Sequence, residues 1–596
     1  MSHFKVEERD LFFILKEQLG YGSLCSLERY RELDEETLDL TLTEAIRFAR
    51  GVVAPLQEIG ERWGTPFEKG RVRCAPEFRE ALRLYGENGW VGASRDPAWG
   101  GSGLPHMMRY VINDLMYGAC QAFNSCPSLT HGAGHLIETF GTEDLKRRFV
   151  PPMYAARWTG TMCLTEPQAG SNLAAVRALA TPEPEGGAYR IRGTKIFISW
   201  GEHDLAENIV HLVLARTPGA PEGVKGISLF VVPKFRVEAD GRPGAPNDVV
   251  CTGVERKLGL HASPTCTLAF GGEDGCVGYL CGTENRGLAH MFQMMNSARI
   301  NSGVSGMALA SSAYRNALEY ARTRVQGADL AGRKKGSVPI ADHPDVRRML
   351  LWMKATVDGL RSLIYSAAYW HDLARELPEG PERTHRRHLT EFLTPIVKAY
   401  ASDQGFRVCE TAMQCLGGYG FCEDYPIEQY LRDAKVLSLY EGTNGIQALD
   451  LLGRKMEQDG GAPYRAWLAE VEGFCAAHAG DEALGGAVGQ LARAVGRLKE
   501  VAEALARRRR SEPLRWGCST YPALVSFGDL TVTWRLLDLG LAAARALREG
   551  RGSAYHRGKV LQASYFATAT LPPALGRLES CLAEQGEPVE MPEEAF

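Results

Sequence analysis

The clearest candidate for chemistry is Glu441, in the stretch Leu439-Tyr440-Glu441-Gly442-Thr443-Asn444-Gly445-Ile446-Gln447. Helical patterning over Glu428–Leu437 stops there and resumes over Ile446–Leu452, so Gly442 and Asn444-Gly445 mark a turn that tolerates positive φ and close approach of another molecule. A carboxylate on such a turn, between two apolar helices, can project into a cavity. Desolvation there raises its pKa and makes it a usable base near neutrality. The same nine residues also describe a surface glutamate at a helix–helix corner. A second stretch, Trp99-Gly100-Gly101-Ser102-Gly103-Leu104-Pro105, is glycine-rich but lacks the strand–loop–helix context of a phosphate-binding fingerprint. The 15 cysteines include no Cys-x-x-Cys pair, and no histidine flanks Cys276 and Cys281 at zinc spacing, so no metal site is expected.

These residues need a scaffold, and 596 residues are enough for several cores, roughly three or four domains. Apolar content of 45% and charged content of 23% fit a soluble globular protein, and a net charge of −4 gives no reason to expect nucleic acid or an anionic membrane as main partner. No basic segment followed by an apolar run opens the chain, and no stretch approaches ~18 uncharged apolar residues, so neither a signal peptide nor a membrane span is expected. Scattered cysteines without framework spacing suit reduced thiols in a cytoplasmic protein.

Patterning predicts helices over Leu11–Leu15, Leu38–Val53, Glu77–Tyr85, Met107–Cys120 and Asp144–Tyr154. From Trp158 to about Gly282 the signal changes to strands: Thr159–Thr165, Tyr189–Ser199 and Ile227–Pro233, separated by turns at 182–187, 218–221 and 241–244. Helices return over Ala289–Arg324, about 341–376, 388–416 and 427–455, enough for a four-helix bundle, with a loop from Pro378 to Arg387. The small residues Gly303, Gly306, Ala308 and Ala310 in the first of these allow close helix approach, or leave room for a flat ligand. Beyond the linker-like Gln458–Pro463 an extra helical region carries an apolar face at Leu491, Val495, Leu498, Ala502 and Leu505. Arg507–Arg510 ends that helix. Residues 461–596 hold 16 Lys+Arg against 16 Asp+Glu, which favours a solvated helix terminus over a nucleic-acid patch. The expected organisation is an N-terminal helical extension (1–40), a helical domain (41–158), a barrel-like β domain (159–282), a four-helix bundle (283–457) and an added helical domain (464–596).

This order resembles the acyl-CoA dehydrogenase family of flavoproteins, and separated motifs carry the likeness. Leu164-Thr165-Glu166-Pro167-Gln168-Ala169-Gly170-Ser171-Asn172 is similar to the family's Thr-Glu-Pro-x-Ala-Gly-Ser loop under the flavin. Lys195–Ser199 is similar to the strand against the isoalloxazine ring, and Leu258–Thr265 to the Leu-Gly-x-x-x-Ser-Pro-Thr element. Gln414–Gly420 and Arg432-Asp433-Ala434-Lys435 precede Tyr440-Glu441-Gly442-Thr443 at family spacing. The likeness covers about residues 40–455. The added N- and C-terminal regions resemble the long branch, which includes broad-range bacterial acyl-CoA dehydrogenases and 3-methylmercaptopropionyl-CoA dehydrogenases.

The resemblance implies FAD as cofactor and α,β-dehydrogenation of an acyl-CoA. Glu441 is then the base for the α-proton, flavin N5 accepts hydride from the β-carbon, and the Glu441 N–H polarises the thioester carbonyl. Met162, Leu164, Thr165, Gly170 and Ser171 form the flavin loop, whose N–H groups and hydroxyls can stabilise charge developing on reduction. Ser199 stands where a hydroxyl bonds N5, and Phe197 where a ring-stacking Trp sits; an ordinary core Phe is the alternative. Thr443 and Gly445 complete that side. Arg324 corresponds to an arginine reaching the cofactor pyrophosphate of a neighbouring subunit, a task suited to its forked donors. Gln414, Gly417 and Gly418 complete that site, although Gly417-Gly418 also fits a helix C-cap. Ser171, Arg299 and Gly442 fall at substrate positions, with a helix-surface charge the alternative for Arg299. Ala298 stands where some relatives carry another catalytic carboxylate, which leaves Glu441. An electron-transfer flavoprotein as acceptor and a homodimer follow from the same likeness. An acyl-CoA oxidase using O2 and a DNA-associated flavoprotein are the competing readings.

Overall fold

The computed structural model describes residues 3–184, 186–273, 275–583 and 586–596. Glu185, in the turn expected at 182–187, lies outside them. The chain divides into two compact units. The first is Leu40–Ala298 with His3 and Phe4; the second is Lys5–Asp39 with Arg299–Phe596.

Helices Leu56–Trp63, Pro76–Glu87, His106–Ala119, Gln121–Phe140 and Glu143–Tyr154 belong to the first unit. Patterning does not show Gln121–Phe140, because Pro127, Gly132 and Gly134 read as breakers. Burial overrides them: 14 of its residues are buried, and its Thr130 hydroxyl takes the N–H of Gly160 on the adjoining strand. Tertiary packing outweighs local propensity here.

The β domain centres on an eight-stranded sheet. Its order is Val249–Val254, Thr265–Phe270, Tyr189–Ser199, Cys276–Leu280, Ser228–Pro233, Asn208–Ala215 and Trp158–Cys163, with Leu179–Pro182 pairing on Tyr189–Ser199. Pairing is antiparallel except between Trp158–Cys163 and Asn208–Ala215. Asn208–Ala215 is buried at every residue, so it lacks the alternation that reveals a half-exposed strand. Opposite Cys266–Leu268, strand Tyr189–Ser199 bulges, and Phe197 takes φ +58°. A bulge re-aims side chains, and here it leaves Phe197 59% exposed instead of in the core.

In the second unit, residues from Arg299 onward of helix Gly287–Thr323 pack with Pro344–Glu376, Pro381–Leu416 and Ile427–Lys435. Ala310, Ala313, Ala317, Met353, Val408, Ala412 and Tyr430 form part of their core. The small residues serve helix approach. A Cβ at Gly303 would stand 2.8 Å from the Val397 carbonyl oxygen, and one at Gly306 2.7 Å from that of Ala401, so no room for a flat ligand remains there. The loop expected from Pro378 to Arg387 is shorter, because helix Pro381–Leu416 begins on a proline, whose missing N–H costs nothing in a first turn.

Helices Ala462–His478, Gly485–Ser511, Pro513–Arg548 and Ala554–Leu582 make up the added C-terminal region. Its arginine run is structural: Arg508 donates to the carbonyls of Cys581 and Leu582, and Arg509 to that of Gly453. Lys5–Asp39 belongs to the same unit. Buried Asp10 pairs there with Arg315 (3.0 Å), Lys354 (2.9 Å) and Lys559 (2.7 Å). No helix of the described residues is long and apolar enough to cross a membrane. All 15 cysteines are free thiols, 12 of them buried.

Candidate active site

Helix Ile427–Lys435 passes into a 3-10 turn, Val436–Ser438, and the chain then reverses. Positive φ falls on Glu441 itself (+58°) and on Gly442 (+83°), while Gly445 lies within helix Asn444–Leu449. The left-handed region costs a non-glycine residue roughly 1–2 kcal/mol, so neighbours must hold Glu441 in it. They do so through the main chain. Its carbonyl accepts from Arg299 Nε (3.4 Å) and Gln447 Nε2 (3.3 Å), and Gln447 Nε2 also serves the Gly442 carbonyl (3.2 Å). Thr443 caps the following helix by accepting from the Ile446 N–H (3.3 Å). Gly442 is required on two grounds: its φ, and Gln447 Nε2 only 2.8 Å from where a Cβ would stand. Among the described residues the Glu441 N–H donates to no protein acceptor.

The half-buried Glu441 carries the decisive electrostatic feature. Burial pushes its carboxyl up to about 7, against the opposing pull of Arg299 and Lys398. Arg299 is buried and also faces Asp450 Oδ2 at 3.4 Å, while Asp450 in turn binds Arg454. The guanidinium of Arg299 thus supports the turn and is not a loose surface charge. Lys398, on helix Pro381–Leu416, donates to Asn444 Oδ1 at 2.8 Å, and burial lowers its ammonium to about 8. Neither Lys398 nor Gln447 is visible as a site residue in the sequence. The only available signal was a lysine inside the apolar run Pro395-Ile396-Val397-Lys398-Ala399-Tyr400.

Arg324, Gln414, Gly417 and Gly418 come together elsewhere in the same unit, on a cavity of about 490 Å³ that Tyr320 and Tyr419 also line. Helix Pro381–Leu416 ends there with Gly417 at φ +61°. No protein atom lies within 4 Å of where a Cβ would stand at Gly417 or Gly418, which leaves an open backbone wall beside the Arg324 donors.

The first unit assembles Met162, Leu164, Thr165, Gly170, Ser171, Phe197 and Ser199. Met162 is on strand Trp158–Cys163, and the Thr165 carbonyl accepts from the Ile196 N–H (2.9 Å), which sets the loop against strand Tyr189–Ser199. Ser199 pairs with Thr265, and Gly170 faces open space. Two residues that sequence reading gives no role hold this loop. Buried Lys195 donates to the Leu164 carbonyl (2.9 Å) and to Glu166 Oε1 (2.8 Å). The Glu166 carboxylate also accepts from the N–H groups of Arg177 (2.8 Å) and Ala178 (3.0 Å). Burial alone would raise Glu166, but Lys195 and those N–H groups outweigh it and hold the carboxyl below its ordinary value. In the first unit, open space at Gly170 and the exposed Phe197 ring leave a face that a flat aromatic group fits, and in the second the open wall at Gly417 and Gly418 beside Arg324 fits a phosphate group.

Comparison with known proteins gives the following. Family models described as the acyl-CoA dehydrogenase N-terminal, middle and C-terminal domains match residues 35–157, 161–272 and 285–456. One described as acetyl-CoA dehydrogenase C-terminal like matches 467–592. The chain is 40% identical to 3-methylmercaptopropionyl-CoA dehydrogenase of Ruegeria pomeroyi, over 95% of this chain and 96% of the relative. It is 36% identical to the broad-specificity linear acyl-CoA dehydrogenase FadE5 of Mycobacterium tuberculosis over the whole of both chains. The fold is shared with an acyl-CoA dehydrogenase from Bacillus anthracis complexed with FAD, at a TM-score of 0.73 and 22% identity, over 96% of this chain and 92% of that one.

Proposed function

This chain belongs to the acyl-CoA dehydrogenase family of FAD-dependent enzymes, and on that premise we propose Glu441 as the base that takes the α-proton of its acyl-CoA substrate. The observation that carries this reading is a carboxylate held in a strained left-handed turn, with burial bringing it to about 7. A base so poised is ionised in useful amount at neutral pH yet still basic enough to accept a carbon-bound proton. The Glu441 N–H, free of protein acceptors, supplies a donor for the thioester oxygen as negative charge develops on it. Arg299 and Gln447 keep that N–H and the carboxylate in register by holding the carbonyl between Glu441 and Gly442. In this reading Arg299 and Gly442 serve the substrate through the shape of the turn, and Ser171 from the flavin loop.

FAD, when bound, would supply an acceptor for the hydride of the β-carbon. Met162, Leu164, Thr165, Gly170, Ser171, Phe197, Ser199, Thr443 and Gly445 would hold it. Arg324, Gln414, Gly417 and Gly418 would hold the pyrophosphate end of a partner's cofactor, which requires at least a homodimer. We propose an electron-transfer flavoprotein as the acceptor, which relatives described as dehydrogenases support, and the cytoplasm as location, which the free thiols support. The test is anaerobic mixing of the FAD-loaded enzyme with a series of acyl-CoA thioesters. Bleaching of the flavin absorbance is expected with wild type and none with Glu441→Gln. Normal bleaching in Glu441→Gln overturns the assignment of the base.

A further inference from the structure

Lys398 is fully buried, at 0% exposure. A buried ammonium costs several kcal/mol unless a partner compensates it. Other buried lysines of this protein meet carboxylates: Lys195 pairs with Glu166 at 2.8 Å, Lys559 with Asp358 at 2.6 Å, and Lys455 with Glu391 at 3.5 Å. The acceptor of Lys398 is instead a neutral amide, Asn444 Oδ1, at 2.8 Å. The other end of that amide donates to Ser402 Oγ (3.0 Å) and the Ala399 carbonyl (3.2 Å) on the helix that carries Lys398. Asn444 opens the helix that follows the Glu441-Gly442 turn, so this bridge ties the turn to helix Pro381–Leu416. A methionine or leucine would fill the same space without the penalty, which indicates that the charge itself has a use.

We infer that Lys398 is the positioning residue of the Glu441 base: through Asn444 it fixes the turn, and its ammonium charge favours the ionised, proton-accepting carboxylate. The inference rests on Glu441 being that base. Two cations act on Glu441, Arg299 from helix Gly287–Thr323 and Lys398 from helix Pro381–Leu416. Arg299 is shared with Asp450, itself bound to Arg454, so part of its charge is spent there. The charges of Glu441 and Asp403 favour the Lys398 ammonium and that of Arg299 opposes it, while its hydrogen bond goes to Asn444 and to no carboxylate among the described residues. The proton abstracted from substrate goes to Glu441, and Lys398 takes no part in that transfer.

The experiment compares holoenzymes of wild type, Lys398→Gln, Lys398→Arg, Asn444→Ala and Glu441→Gln. It measures kcat/KM and the rate of anaerobic flavin bleaching against pH, with FAD content as the check on folding. Glutamine keeps a donor toward Asn444 and deletes the charge. Its acidic limb is expected to move up by about one pH unit, a tenfold loss at about pH 6 that fades above about pH 8. Lys398→Arg retains the wild-type limb. Asn444→Ala, which keeps the charge and removes the bridge, lowers kcat about tenfold at every pH without moving the limb. An unmoved limb in FAD-replete Lys398→Gln overturns the inference, as does an Asn444→Ala limb displaced as far as the glutamine variant's. Should Lys398→Gln fail to retain FAD, a limb moved by more than about half a unit in Lys398→Arg overturns it. A Glu441→Gln enzyme that still bleaches refutes the base and not Lys398 alone, so the two failures are distinct.

Discussion

Gln447 Nε2 lies 3.3 Å from the carbonyl oxygen of Glu441 and 3.2 Å from that of Gly442, so one amide nitrogen clamps two consecutive peptide units of a left-handed turn. Gln447 is fully buried, and no solvent competes for that nitrogen. Gln447→Leu preserves volume and removes both bonds. The turn then loses roughly 1–3 kcal/mol of restraint, since two partly buried acceptors lose a donor. The expected outcome is a fall of about 10–100-fold in the bleaching rate with FAD content unchanged, because a base displaced by about an ångström loses that much. A bleaching rate within twofold of wild type would show that Arg299 alone holds the turn.

The value of about 7 for Glu441 fixes the sign of two pH effects. The base must be ionised, so kcat/KM rises with pH through about 7 and levels above it. Stability runs the other way. A carboxyl raised from its ordinary 4.5 binds its proton more tightly in the folded than in the unfolded chain. Folding stability therefore falls as pH climbs from 4.5 to about 7, and the loss is complete above that value. Glu441→Gln removes the loss: it stabilises by roughly 1–3 kcal/mol at about pH 8 and has no effect near about pH 4. Denaturant unfolding at the two pH values checks this, and equal effects at both contradict it.

Glu441 could be singled out from sequence because glycines and an asparagine break a helical pattern around a carboxylate, and the flavin-loop motif because its residue types are unusual in combination. What failed was anything decided by burial. Lys398 and Gln447 sit at ordinary helical positions, and only the neighbouring helices convert them from solvated polar residues into supports of the turn. Pro127 looked like a breaker until the packing of helix Gln121–Phe140 outweighed it. The glycine signal finds the reversal, and Gly442 takes positive φ, but it does not show that Glu441 enters the left-handed region as well, held there by Gln447 six residues on and by the distant Arg299.

Lys195 and Glu166 give a prediction about the flavin loop. Removing one partner leaves a buried charge unmatched, typically at a cost of about 3–5 kcal/mol. Lys195→Met is therefore expected to lower stability by that order. It also frees the Leu164 carbonyl, so FAD should be lost on gel filtration. The double variant Lys195→Met/Glu166→Leu recovers part of the stability, because the stranded carboxylate is gone, but not FAD retention, because the loop still lacks its support at Leu164. Recovery of both would place the loop's shape in its proline and glycine rather than in the ion pair.

Arg324 tests the cavity at the end of helix Pro381–Leu416. Its guanidinium stands 5.8 Å over the Tyr419 ring and lines the open Gly417-Gly418 wall. Arg324→Lys keeps the charge but loses the planar fork, and Arg324→Ala loses both. If the cavity receives phosphate oxygens, FAD affinity should fall in the order wild type, lysine, alanine. The alanine variant loses roughly 10–100-fold, the worth of a charge-assisted hydrogen bond or two. Such a loss should steepen on dilution if the bound cofactor belongs to a partner chain, since dissociation of the assembly and of FAD are then linked. The FAD-to-protein ratio after dilution at constant ionic strength, read beside sedimentation velocity, separates the cases. A ratio that holds while the assembly dissociates into single chains would place the phosphate end of FAD within one chain and sink the two-chain reading of the cavity.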